Sequence, residues 1–152
     1  MIGDIVLQKR SGVVGYFVSF FTRSEWVHCG IYVGDGSIVH VDWRGKRYTY
    51  YSDWADGMIV LTPVKPLTSE EQAALFIAIS REKVAGYSFW NAVKSWIWKD
   101  PDDNKKTGKR YHCASFVSAM YRKIGIDLVP GRSDDTTQPQ EFLDSPLLRR
   151  VV

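Results

Sequence analysis

Apolar and polar positions alternate early in the chain and later switch to a helical period. Gly3-Asp4-Ile5-Val6-Leu7 reads as a strand, and residues 26–33 and 37–43 are rich in β-branched and aromatic types around Gly34-Asp35-Gly36. Two such runs flanking a Gly-Asp-Gly turn predict a β-hairpin. Arg47 to Tyr51 reads as a third strand of a meander and Met58 to Val64 as a fourth, stopped by Pro66. Thr68-Ser69-Glu70-Glu71-Gln72 offers a capping box that opens a helix through Leu75 and Ile79 to about Lys83, with Gly86 as its break. A second helix is expected from Ser88 to Trp98, with Phe89, Val93, Trp96 and Ile97 for burial. A third opens at Cys113, because Phe116, Val117, Met120 and Ile124 follow at one-face spacing before Gly125. The pattern predicts one α+β domain over residues 1–152, an antiparallel meander sheet packed against about three helices, with no internal repeat.

Two of these elements carry reactive side chains. Cys113 lies in the first turn of its helix, where unpaired backbone N–H groups and the positive end of the helix dipole favour thiolate. A thiol needs such help, since at its ordinary value it is only a few per cent ionised at neutral pH. The imidazole that would complete a nucleophile must come from the hairpin, which holds His28 and His40. Side chains alternate faces along a strand, so the two rings share a face only if paired residue numbers add to an even sum. They would then sit opposite or diagonally, roughly 5 to 8 Å apart between Cβ atoms. Cys113 is read as the nucleophile, with one of the two imidazoles as its base and the other as the group that orients that base. Asp42 shares the strand face of His40 and is the alternative third member.

The remaining candidates have plainer readings. Cys113 by itself would be an ordinary buried cysteine; the two histidines at hairpin spacing raise it above that. His112 is expected to serve as a helix-entry residue. Cys29 neighbours His28 on the strand and is expected to point away from it. On that reading Cys29 is a reduced core residue that cannot face Cys113.

The segments Gly3-Asp4-Ile5-Val6-Leu7, Val27 to Gly36, Ile38 to Val41 and Cys113-Ala114-Ser115-Phe116-Val117 resemble the circularly permuted branch of the NlpC-type, papain-like cysteine hydrolases. That branch includes the bacterial YiiX and YebB proteins and, more distantly, the lecithin:retinol acyltransferase group. The tail Gln138 to Pro146 is similar to the ending of YiiX-like members. The resemblance implies a permuted papain-like fold in which the histidines precede the cysteine. It places Cys113 on the nucleophile, His28 on the base and His40 on the third position. It implies hydrolysis of an amide or isopeptide bond, in cell-wall-type peptides or related substrates, through an acyl-cysteine. The alternatives are a lipid acyltransferase or thioesterase using the same three residues, and a non-catalytic binding domain.

Composition narrows the partners. Twenty basic residues against 17 acidic ones give a net charge of +3, too balanced to imply nucleic acid. The cluster Lys105-Lys106-Thr107-Gly108-Lys109-Arg110 is read as a solvated loop, or as a holder of an anionic head group or carboxylate beside Cys113. With Cys113 and His28 assigned, no ligand spacing is left to imply a metal, and no cofactor is expected. Gly12 to Phe21 is about half a membrane span, so no transmembrane segment is expected; that stretch could be core, wall an apolar channel or touch lipid. A peptide or acyl-lipid substrate and a monomeric state are expected. With a strand at Gly3 and no secretory signal before it, the expected compartment is the cytoplasm, or an exterior reached by a non-classical route.

Overall fold

A computed structural model describes residues 1–9, 25–54, 57–84, 86–87 and 110–151. In chain order it contains β1 (Ile5–Lys9), β2 (Trp26–Gly34), β3 (Ser37–Asp42), β4 (Gly45–Tyr50), a 3-10 turn (Tyr51–Trp54) and β5 (Met58–Pro63). Then come α1 (Ser69–Arg81), β6 (Gly86–Tyr87), β7 (Arg110–Tyr111), α2 (Cys113–Lys123), two further 3-10 turns (Asp134–Thr136, Pro139–Phe142) and β8 (Leu148–Arg150). The class is α+β, with two α-helices among the described residues. The helix expected at Ser88 to Trp98, the Gly12 to Phe21 stretch and the basic cluster from Lys105, apart from the Arg110 backbone in β7, lie outside the described residues.

The main sheet has six strands in the order β4-β3-β2-β1-β5-β8, every neighbouring pair antiparallel. The first three hairpin strands form the expected meander, but β5 does not continue it. It pairs with β1 instead, Leu61 opposite Ile5 and Ile59 opposite Leu7. The cause lies in burial. Ile5, Val6 and Leu7 are wholly buried on both faces, as are Ile59, Val60 and Leu61 nearly so, and such continuous apolar runs belong in the middle of a sheet. β4 reads Gly-Lys-Arg-Tyr-Thr-Tyr, exposes Tyr48 and Tyr50, and takes the edge. β8, whose Arg149 and Arg150 are exposed, has no strand-like sequence pattern and closes the other edge.

One face of the sheet sends Ile5, Leu7, Cys29, Ile31, Val39, Val41, Ile59 and Leu61 against Leu75 and Ile79 of α1 and Phe116, Val117 and Met120 of α2. Each fully buried aliphatic or aromatic side chain there stabilises by about 1.5 to 3 kcal/mol, which fixes α2 on the sheet. The opposite face holds a smaller cluster of Val6, Ile38 and Trp54, with Tyr32, Tyr51 and Met58 packed on it. α1 has the expected capping box: the Thr68 N–H donates to Glu71 Oε2 at 2.8 Å, and the Glu71 N–H to Thr68 Oγ1 at 3.2 Å. Lys46 Nζ donates to the carbonyls of Ile79 and Glu82 at 2.7 and 2.8 Å, tying the edge strand to the end of α1. α2 differs from a one-face helix, because Cys113 to Tyr121 are all buried. Small residues allow this. Ser118, on the side away from the sheet, donates from Oγ to Asp134 Oδ1 at 2.8 Å, so the Asp134–Thr136 turn covers that side. Among the described residues no helix is long and apolar enough to cross a membrane.

Candidate active site

The hairpin turn is Asp35-Gly36, with φ of 49° and 72°, the positive pair that a two-residue hairpin turn matched to strand twist requires. It pairs Gly34 with Ser37. Continued without interruption, that odd-sum register would put His28 and His40 on opposite faces. A bulge at Val33 intervenes, after which Tyr32 faces Ile38, Ile31 faces Val39 and Gly30 faces His40. The sum becomes even, and His28 lies diagonal to His40 on one face. Gly30 is what lets the strands close there, since a Cβ at that position would lie 2.6 Å from Ile38 Cγ2 and 2.7 Å from the Val39 carbonyl oxygen. Across this gap His28 Nε2 meets His40 Nδ1 at 2.8 Å, with the rings 4.8 Å apart and at 89°.

Both imidazoles border Trp54. His40 is buried, and its Nε2 has no hydrogen-bond partner among the described residues. Burial, with the nearby His28 adding to it, pushes His40 down to about 4, so its ring is neutral near pH 7. Asp42 is occupied elsewhere: Oδ1 accepts the Arg44 N–H at 2.7 Å, and Oδ2 faces Arg47 Nη1 at 3.5 Å. The structure therefore brings His40, not Asp42, to the ring of His28.

Cys113 is the first residue of α2 and is buried with a free thiol. His112 caps the helix as expected of an entry residue. Its Nδ1 accepts the Ser115 N–H at 3.4 Å, while its Nε2 donates to the Asp135 carbonyl at 3.1 Å, which fixes its tautomer. Ser115 Oγ accepts the His112 N–H at 2.9 Å. The Cys113 thiol is held well below the usual thiol range, chiefly by a hydrogen bond from Cys29 and further by His28, against the opposing effect of burial. Cys29 is pushed well above that range by burial and by Cys113. The two directions oppose each other and favour thiolate at Cys113 over Cys29.

The contact between Cys29 and Cys113 corrects the expectation that Cys29 points away from that thiol. Alternation holds, in that Cys29 sits in the helix-side core and His28 on the face of Trp54. Both residues nevertheless bear on the thiol at the start of α2. Sequence reasoning also passed over Trp54, whose only signal is an aromatic residue just beyond an edge strand. Among the described residues no group of three or more His, Cys, Asp or Glu side chains is placed to hold a metal ion.

No family model matches the chain, and no curated protein does. Among solved structures, the crystal structure of the metalloprotein YiiX from Escherichia coli O157:H7 is similar to it, with a TM-score of 0.71 and 18% sequence identity. The similarity covers 100% of this chain and 96% of that one. The two share a fold over their full lengths.

Proposed function

We propose that this fold, shared with YiiX, is a permuted papain-like domain acting as a cysteine hydrolase on an amide or isopeptide bond, with Cys113 as nucleophile, His28 as base and His40 as its orienting partner. The observation that carries the reading is the linked set Cys113, His28 and His40: a thiol held low at a helix start with His28 beside it, and His28 bonded to His40 at 2.8 Å. That bond occupies Nε2 of His28 and leaves its Nδ1 for the thiol proton. The proton on the shared bond then belongs to His28, and neutral His40 accepts it. In the first half-reaction the Cys113 sulfur bonds to the carbonyl carbon while His28 holds the thiol proton. His28 passes that proton to the leaving nitrogen as the C–N bond breaks, giving an acyl-cysteine and a free amine. Water, deprotonated by His28, then attacks the acyl carbon. The S–C bond breaks, the sulfur takes back the proton held by His28, and the acid departs as a carboxylate with its own proton lost to solvent. The Cys113 backbone N–H, lacking an intrahelical partner as every first-turn N–H does, is the oxyanion donor in this scheme.

The test is mass spectrometry after incubation with panels of peptides and of acyl lipids. A covalent acyl mass on Cys113 from the peptide panel supports the reading. An adduct from acyl lipids alone replaces it with acyl transfer or thioester hydrolysis. No adduct from either panel, together with equal iodoacetamide rates at Cys113 and Cys29, overturns it in favour of a binding domain.

A further inference from the structure

Trp54 takes no part in the scheme above, yet it is built closely around it. It closes the Tyr51–Trp54 turn and is 3% exposed. Its indole is nearly parallel to His28, 5.1 Å between centroids at 26°, and nearly perpendicular to His40, 5.3 Å at 77°. The indole N–H donates to Thr49 Oγ1 at 2.8 Å, and Thr49 pairs with Ile38 across the β3–β4 register, so the ring is anchored to the sheet that carries both histidines. Val6 and Ile38 pack on it.

Two consequences follow from that placement. A flat ring stacked on His28 takes the place of water on that side, and a hydrogen bond shielded from water is stronger. An indole face also attracts a cation within about 6 Å of its centroid. The indole face lies within that distance of His28, the ring that holds the thiol proton in the scheme above. The other charged or titratable groups bearing on the pair are Cys113 of α2, Asp42 of β3 and Arg47 of β4.

We propose that Trp54 is a positioning residue for His28: its indole face holds the imidazole in line between His40 and Cys113, where it supports the Cys113 thiolate. This rests on the Cys113–His28 reading above. The test is the pH profile of Cys113 alkylation by iodoacetamide, read by mass spectrometry on the full chain. In Trp54→Leu the rate near pH 6 should fall roughly three- to tenfold and the midpoint move up, with the rate near pH 9 unchanged. Trp54→Phe, which keeps an aromatic face, should stay within about twofold of wild type. A purely structural role would lower the melting temperature of Trp54→Leu and leave the midpoint in place. A folded Trp54→Leu with the wild-type profile overturns the proposal. Should Trp54→Leu not fold, Thr49→Val decides in the same way, since it frees the indole N–H while keeping the shape of the half-buried side chain: a raised midpoint supports the proposal and the wild-type profile overturns it. A wild-type Cys113 with an ordinary thiol profile is a different result, and would overturn the Cys113–His28 reading together with the role given to Trp54.

Discussion

On the face of the sheet that meets the helices, Ile5, Leu7, Ile31, Val39, Val41 and Leu61 are 0–2% exposed and join a cluster that runs through both helices, whereas the buried apolar cluster on the other face is, among the described residues, the smaller set Val6, Ile38 and Trp54. The helix-side face is non-directional packing. It fixes α2 by bulk, and so fixes where the helix start carrying Cys113 lies. The opposite face holds His28 and His40 by directed contacts, namely one hydrogen bond, two ring contacts to Trp54 and the close strand approach at Gly30. Damage to the first should appear as lost stability, and damage to the second as lost chemistry. The thiol stands where the two meet.

The sharpest break between the faces should come from the site itself. Cys113→Ser and His28→Ala should each lower turnover at least about a thousandfold, with melting temperatures close to wild type. Full activity in a stable Cys113→Ser protein would remove the nucleophile assignment. On the helix side, Phe116→Ala should cost about 3 to 5 kcal/mol in urea unfolding, because a wholly buried ring leaves a cavity under α2. The alkylation midpoint of Cys113 in the folded protein should stay put; a midpoint that moves with stability would mean that the faces are not separable.

His40 gives a prediction that links stability to pH on the chemical face. Burial lowers it from 6.5 to about 4, so between those values the unfolded chain binds a proton that the folded chain refuses. The contribution of the neutral ring is therefore complete above about 6.5 and is lost as pH falls toward 4, to a total of up to about 3 kcal/mol. Unfolding free energies of wild type and His40→Asn across that window should converge as pH falls. Parallel curves would show that the ring is not refusing the proton. The smallest effect belongs to Cys29, the helix-side residue that touches the site. Cys29→Ala removes the S–H donor to Cys113 and should slow alkylation near pH 6 several-fold, while Cys29→Ser, which keeps a donor, should slow it less. Equal, wild-type rates in both variants would deny Cys29 any hold on the thiolate.

Local chemistry made much of this protein legible in its sequence. The capping box at Thr68 and Glu71 and the stop at Gly125 depend only on neighbours within a turn, and the elements stand where those residues put them. Parity arithmetic stated the condition under which His28 and His40 share a face, because alternation is a property of a single strand. Whether the condition is met was decided by one extra residue, Val33, and a bulge leaves no mark in composition. The same limit explains β5. Its apolar run predicts a strand, but only competition among all the strands for the buried middle of the sheet sends it beside β1. Cys29 beside Cys113 and Trp54 over both imidazoles belong to this second kind of fact. Each joins segments far apart in the chain, and their distance is set by how the sheet, the helix start and a 3-10 turn pack together. The sequence determined which reactive groups exist and which strand faces they can occupy; tertiary packing decided which of them meet, because alternation and capping act over a few residues while contact depends on the whole fold.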